Sequence, residues 1–246
     1  MAKWNWRGRM FDGKDLPSHN ESMHIPGGGI IRELVFGAND GLVAAFAVAS
    51  GVNGAGVRSS VIIIAGIAEL IGGTISMALG AYLSTKSQLE YYRGERNREA
   101  YEVDNFPAVE RQEIREIYER KGFKGKILEE IISHITSDKS RWVDIMMNEE
   151  LGLTIDPNTS PLKSAIATGG AYSFGALMPV LPYLFLMPGS GLLASAAITL
   201  LVLFGVGAAK TVVTGKSLMR SGLESVMIGG IAACAAFFAG RLFSGH

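Results

Sequence analysis

Residues 65–88 read AGIAELIGGTISMALGAYLSTKSQ, and this stretch decides the fold class. Glu69 is its only charged side chain before Lys86, and the apolar run extends back to Val57. A transmembrane helix needs about 20 mostly apolar residues, so Val57–Leu83 predicts a membrane span. No proline follows before Glu102. The helix is therefore predicted to continue well beyond the membrane.

Four further apolar runs of similar length indicate that the chain crosses the membrane five times. A single such run also fits a buried helix of a soluble protein, but five in one small chain favour a membrane protein. The 31 glycines agree with this, because small residues let membrane helices pack closely. We predict an all-α, polytopic membrane protein with spans at Ile30–Val52, Val57–Leu83, Ser164–Met187, Leu192–Val213 and Ser221–Phe243.

The charges are segregated along the chain, although the formal net charge is zero. Residues 85–163, called the insert below, hold 13 of the 23 Lys and Arg and 16 of the 23 Asp and Glu. The insert is predicted to be a helical domain outside the bilayer. The predicted organisation is a cytoplasmic N-terminal segment (1–29), two membrane helices (30–84), a cytoplasmic helical metal-binding domain (85–163) and three membrane helices (164–246).

The distribution of Lys and Arg predicts the orientation, since cytoplasmic loops are enriched in these residues. An N-terminus inside the cell places every positive cluster in the cytoplasm and leaves the C-terminus outside. The clusters are the N-terminal segment, the insert and the fourth connection, with Lys3, Arg7, Arg9, Lys14, Lys210, Lys216 and Arg220. The sequence contains no P-loop, no Gly-x-Gly-x-x-Gly and no nucleophile triad, which argues against ATP-driven transport and nucleic-acid binding.

Helix boundaries within the insert follow from capping residues. Asp104 or Asn105 is predicted to cap a helix that has Pro107 in its first turn. Gly122 is predicted to end that helix in the left-handed conformation. Ser137–Asp138 is predicted to break the chain and cap the last helix of the insert.

Three side chains within the spans are candidates for an ion path. Asp40 and Glu69 are ionisable groups inside apolar helices, where such residues are usually functional. Met77 follows Glu69 by eight residues, on the same helical face, and a thioether beside carboxylates favours a transition ion. The alternatives are a hydrogen bond between helices for each carboxylate and ordinary packing for Met77. Glu33 shares the face of Asp40, but it lies near the membrane edge.

The insert repeats carboxylates and methionines at spacings of three and four, which bring side chains onto one helical face. Several helices that each present such residues are able to converge on metal ions. The alternative is a solvated, salt-bridged surface, since stretches such as ERQEIREIYER interleave Glu with Arg. The Glu-x-x-His pattern of di-iron proteins is missing, because Ile131 precedes His134 by three.

Four stretches together resemble the vacuolar iron transporter family. They are FGANDGLV at 36–43, AGIAELIGGTISMALGAYLSTKSQ at 65–88, WVDIMMNEELGL at 142–153 and GALMPVLPYLF at 175–185. The resemblance extends from about Pro26 to Arg241. It implies five membrane helices, a cytoplasmic three-helix metal-binding domain, and a homodimer with the ion path at its interface.

The resemblance also implies the exchange of Fe²⁺ for protons, with iron leaving the cytosol. Fe²⁺ would be the substrate, with no prosthetic group, and the same ligand types suit Mn²⁺, Zn²⁺ and Co²⁺. The implied membrane site is Asp40, Glu69 and Met77. The family often has Glu where Asp144 stands. The implied metal site in the insert is Glu99, Glu102, Glu110, Glu113, Asp144, Met146, Met147 and Glu150.

We therefore predict a proton-coupled Fe²⁺ transporter that is not an enzyme and whose partners are a second copy, the lipid bilayer, metal ions and protons. Two other functions remain open: a membrane-anchored di-iron oxidase, and a metal sensor or store. A bacterial plasma membrane and a eukaryotic vacuole both fit the sequence.

Overall fold

The computed structural model describes residues 3–4, 10–11, 28–156, 158–211 and 217–244. Two strands of two residues each, β1 (Lys3–Trp4) and β2 (Met10–Phe11), pair in antiparallel fashion. The rest is helical, as predicted. The helices are α1 (Gly28–Gly54), α2 (Ser59–Asn105), α3 (Pro107–Arg120), α4 (Gly125–Thr136), α5 (Lys139–Glu149), α6 (Pro161–Val180), a 3₁₀ turn (Leu181–Leu184), α7 (Pro188–Ala209) and α8 (Leu218–Ser244).

Five helices of the described chain are long and apolar enough to cross a membrane, which confirms the predicted number of spans. They are α1, α2, α6 with its 3₁₀ turn, α7 and α8. The third span tightens into the 3₁₀ turn at Leu181, because Pro182 has no backbone N–H to continue the α-helical bonding. Outside the described residues lie 1–2, 5–9, 12–27, 157, 212–216 and 245–246. They include most of the predicted N-terminal segment and part of the fourth connection.

α1 lies at the centre of the membrane bundle and packs against α2, α6, α7 and α8. Glycines allow this close approach. A Cβ added at Gly37 or Gly41 would collide with a backbone carbonyl of α6, and one at Gly240 of α8 would collide with the carbonyl of Gly51. The Gly-x-x-x-Gly pattern around Asp40 therefore marks a helix contact within the chain.

α2 is 47 residues long and confirms the predicted continuous helix. At about 1.5 Å per residue it measures about 70 Å, more than twice the hydrocarbon thickness of about 30 Å. Its C-terminal part packs with α3, α4 and α5 around an apolar core. That core comprises Val103, Ile114, Leu128, Ile132, Ile135, Trp142, Val143, Met146 and Met147.

The caps of the insert helices agree with the sequence at two of three positions. Gly122 has φ +95°, and the Asp138 side chain accepts a hydrogen bond from the Arg141 N–H at 2.8 Å. The predicted cap of α3 by Asp104 or Asn105 is wrong: Phe106 is the N-cap residue, without a side-chain bond. Asn105 instead belongs to α2 and donates to the Tyr101 carbonyl.

Candidate functional site

The membrane bundle brings together the three residues predicted for the ion path. Asp40 on α1 and Glu69 on α2 are both half-buried, and they are close enough for their charges to repel. Met77 packs against a cluster that contains Tyr172 of α6. Glu69 accepts a hydrogen bond from the Tyr172 hydroxyl, at 2.6 Å. Two carboxylates and a thioether therefore share one region of the bundle formed by the candidate membrane spans.

A cavity of about 600 Å³ extends from Met77 towards the insert, between α1 and α2. Its walls include the polar side chains of Ser84, Thr85 and Gln88, where α2 leaves its apolar part. Glu33 also lines it and accepts a hydrogen bond from the Ser164 hydroxyl at 2.7 Å. A hydrated cation therefore has room between the insert side of the bundle and the thioether.

Sequence reasoning missed Tyr172 and Ser164, which donate hydrogen bonds to Glu69 and Glu33 respectively. A tyrosine in an apolar span with no charged neighbours indicates a buried ring whose hydroxyl needs a partner. That signal identifies a polar contact but not the residue that accepts it.

The insert buries two of the predicted carboxylates. Glu99 on α2 and Glu110 on α3 are each 4% exposed, and one oxygen of each finds no hydrogen-bond donor among the described residues. Burial, with smaller contributions from neighbouring carboxylates, raises the pKa of both to about 7. Partial desolvation and neighbouring carboxylates also raise the pKa of Glu113, which is half-buried, and of Glu150, although Glu150 lies at the exposed end of α5. The fold therefore concentrates acidic groups that repel each other in the absence of a cation.

Met146 and Met147 are both fully buried in the apolar core of the insert. Their sulfurs therefore face the inside of the insert. A cation that uses them must enter between the helices, and part of their role is to fill the core.

Asp144 forms an ion pair with Arg96 of α2, which also contacts Tyr92. The pair links α5 to α2 at a site where both side chains are partly exposed. The sequence offered Asp144 as a metal ligand. In the structure its carboxylate faces a guanidinium, which competes with a cation for the same oxygens.

We predict that exchanging the charges of Arg96 and Asp144 separates these two roles. The double variant Arg96→Asp, Asp144→Arg rebuilds the ion pair but leaves no carboxylate at position 144. If the pair only positions α5, the full-length double variant binds as much Fe²⁺ as wild type, while Asp144→Arg alone binds less. Equal losses in the single and double variants, measured by equilibrium dialysis, would instead assign Asp144 as a ligand.

Other acidic residues of the insert form surface ion pairs, as the alternative interpretation predicted. Glu129 binds Arg115 through both oxygens, and Glu149 pairs with Lys121. Within the described chain, no three His, Cys, Asp or Glu side chains are arranged closely enough to hold an ion. The acidic residues thus divide into a buried group on the insert helices and a solvated group on its surface.

Comparisons with known proteins agree with this architecture. The VIT family model matches residues 31–241. The chain is 38% identical over 224 residues to vacuolar iron transporter 1 of Arabidopsis thaliana, covering 90% of this chain and 89% of that protein. It is 36% identical to vacuolar iron transporter 1 of Tulipa gesneriana over 91% of both. The vacuolar iron transporter of Toxoplasma gondii is 30% identical over 91% of this chain and 78% of its own length.

All three relatives carry the names of transporters. The matched region includes nearly all of the five candidate spans and the whole insert, so the similarity covers both the membrane residues and the acidic residues described above. On this extent of similarity, the chain belongs to the VIT family.

Proposed function

We propose that the protein is a homodimeric antiporter that moves Fe²⁺ out of the cytosol in exchange for protons. The observation that carries the proposal is that Asp40 and Glu69 lie close together on two candidate membrane-spanning helices, and that Met77, on the same helix as Glu69, lines a cavity that extends towards the insert. Carboxylates at such a depth are costly and indicate an ion pathway. We infer that the transported metal is iron from the names of the relatives, which are vacuolar iron transporters.

The chemistry of this site supports coupling to protons. A carboxylate must be ionised to hold a metal, so a proton and Fe²⁺ exclude each other at the same oxygen. Protons arriving from the far side of the membrane would release the ion, and the ionised site would then accept another from the insert side. Met77 favours a softer ion over Mg²⁺ or Ca²⁺.

Fe²⁺ uptake by proteoliposomes tests the proposal. We expect the purified protein to load vesicles with Fe²⁺, and to do so faster when the lumen is acidic than without a gradient. Empty liposomes provide the background. Uptake that does not exceed this background would rule out transport. Equal rates of uptake with an acidic lumen and without a gradient would rule out proton coupling.

The exposed surface of α2 supports a homodimer. Ala68, Gly72, Ser76 and Gly80 repeat every four residues and form an exposed small-residue face that runs past Glu69 and Met77. A Cβ added at Gly72 or Gly80 would meet no atom of the described chain. Small residues at a helix surface let a second helix approach closely in a membrane. A two-fold axis along this face would bring two copies of the path together.

We predict that Gly72→Leu breaks the dimer, because its side chain would keep the two α2 helices apart. Mass measurement of the protein in detergent should then give a monomer, with loss of Fe²⁺ uptake. Gly205→Leu is the matched control, since Gly205 is exposed on α7 and its Cβ also points into open space. A dimer that survives Gly72→Leu would place the interface elsewhere.

In this proposal the insert collects cytosolic Fe²⁺ below the path. The ligands would be the acidic and thioether side chains of α2, α3 and α5 that the family resemblance implies. Buried carboxylates without hydrogen-bond donors, such as those of Glu99 and Glu110, gain most from a cation. In this proposal α4 supplies no ligand. It packs against the other helices of the insert through Leu128, Ile132 and Ile135.

We predict that the metal-free insert loses stability as the pH rises. The folded-state pKa of Glu99 and Glu110 is about 7, against an ordinary value of 4.5. The folded insert thus binds their protons more tightly than the unfolded chain does. The resulting contribution to the free energy of unfolding is complete below about pH 4.5 and is lost as the pH passes about 7.

Urea unfolding of the full chain in detergent measures this effect. Trp142 lies in the insert core and reports its unfolding by fluorescence once Trp4 and Trp6 are replaced by Phe. The urea concentration at the midpoint of unfolding should be lower at pH 8 than at pH 5. Adding Fe²⁺ at pH 8 should raise it again. The variant Glu99→Gln, Glu110→Gln should show a flatter profile. A wild-type midpoint that does not fall would contradict the prediction.

An oxidase in the insert is the enzymatic alternative. Oxygen consumption on adding Fe²⁺ to the purified protein distinguishes the two functions. We expect none above the rate of Fe²⁺ in buffer, because the proposed role of the insert is to bind and release the ion. A metal sensor or store would bind Fe²⁺ in the insert but would give the membrane carboxylates no role.

A further inference from the structure

Tyr172 of α6 is the polar residue most deeply engaged with the membrane site. It is 2% exposed, and its hydroxyl donates to Oε1 of Glu69 at 2.6 Å. The ring occupies the space left by Gly73 of α2, where a Cβ would collide with both the hydroxyl and the ring. Gly41 of α1 packs against the Tyr172 carbonyl. Three helices therefore hold this phenol against one carboxylate oxygen.

This arrangement restricts how Glu69 is able to bind an ion. A carboxylate has two oxygens, and a metal bound bidentately uses both. The phenol donates into one lone pair of Oε1, which makes this oxygen a weaker ligand for a cation, whereas Oε2 accepts no hydrogen bond from the described residues. Ca²⁺ takes six to eight oxygens and often binds carboxylates bidentately, whereas transition ions accept fewer ligands.

We propose that Tyr172 is a specificity-determining residue, which keeps Glu69 a one-oxygen ligand and so excludes Ca²⁺ in favour of a transition ion. The inference rests on the proposed function of Glu69 as a ligand in the path. Met77, which packs against the cluster that contains Tyr172, adds a soft ligand from the same region. The phenol acts by positioning Glu69, and its own oxygen has the carboxylate as its partner.

The test measures inhibition of Fe²⁺ uptake by Ca²⁺ in proteoliposomes of wild type and Tyr172→Phe. Removal of the hydroxyl frees Oε1, so the Ca²⁺ concentration for half-inhibition should fall by about tenfold, the change expected from one hydrogen bond to a charged group. The KM for Fe²⁺ should change less. Tyr183→Phe is the matched control, because Tyr183 is equally buried but makes no contact with Glu69. It should behave as wild type.

A second variant guards against misfolding of Tyr172→Phe. Gly73→Ala keeps the hydroxyl but pushes the phenol away from Glu69, and it should raise the sensitivity to Ca²⁺ in the same way. Gly170→Ala is its control, since a Cβ there enters open space on α6. Unchanged Ca²⁺ sensitivity in both Tyr172→Phe and Gly73→Ala would overturn the proposal.

Equilibrium dialysis of the purified full chain separates this inference from the proposed function. It measures the preference for Fe²⁺ over Ca²⁺ without any transport, once the ions bound by the double variant Asp40→Ala, Glu69→Gln, which keeps the insert but lacks the membrane carboxylates, are subtracted. A wild-type protein that moves no Fe²⁺ would refute the transporter, while the ratio of bound ions in wild type and the two variants would still decide the role of Tyr172. We expect that ratio to fall about tenfold in both.

Discussion

Asp40→Ala abolishes Fe²⁺ uptake while leaving the protein folded and dimeric: this is the result we expect from the most severe single change. Asp40 lies half-buried on the central helix, close enough to Glu69 for the two charges to interact. Alanine removes one of the two carboxylates whose oxygens would replace the water ligands that a partly dehydrated cation has lost. Uptake in proteoliposomes should fall by about 100-fold or more, as for the loss of one partner from a buried charge pair worth about 3 kcal/mol.

Asp40→Asn and Asn39→Ala are the matched controls for this variant. Asparagine keeps an oxygen ligand but has no charge, so it should also fail if the charge is essential. Asn39 lies next to Asp40 at the same depth, and its replacement should leave uptake near the wild-type rate. Wild-type uptake by a folded Asp40→Ala protein would remove this residue from the path.

Glu69→Gln is expected to separate iron movement from the proton gradient. Glutamine has nearly the size of glutamate and keeps a carbonyl ligand, but it cannot ionise. The variant should therefore bind Fe²⁺ more weakly and show the same uptake with an acidic lumen as without a gradient. The reason is that metal binding and proton release are linked events at a carboxylate ligand.

Glu224→Gln is the control for Glu69→Gln. Glu224 also lies in a membrane-spanning helix, but it pairs with Lys210 at 3.3 Å and does not line the cavity at Met77. Its replacement should preserve the acceleration by the gradient. If Glu69→Gln also preserves it, the proton travels through another group, and Asp40 is the next to test.

Apolar run length and charge segregation predicted most of the fold. The five candidate spans appear where the runs were found, and α2 continues to Asn105, as the lack of proline predicted. Such features are local: an apolar run of about 20 residues has few alternatives to a membrane helix, and the α2 sequence contains no proline that would interrupt its backbone hydrogen bonds. Boundaries were less exact, as the start of α3 illustrates, because caps depend on backbone geometry at a single residue.

The site could be predicted only as a set of candidate residues. Depth in an apolar run singled out Asp40 and Glu69, because the cost of an ionisable group there follows from the sequence alone. Spacing in the insert singled out its acidic residues, but it did not distinguish buried Glu99 from Asp144, which is partly exposed and pairs with Arg96. Burial of a side chain depends on which other helix packs over its face. The spacing of residues along one helix does not identify that other helix.

The sequence by itself determined that this is a five-span, all-α protein with an acidic helical insert, since length, hydropathy and family motifs are properties of the chain. Only the tertiary structure decided that Tyr172 donates a hydrogen bond to Glu69 and that Arg96 forms an ion pair with Asp144. Those partners lie 103 and 48 residues apart in the chain. Contacts at such separations arise from the packing of whole helices, in which glycines such as Gly73 leave room for a distant side chain.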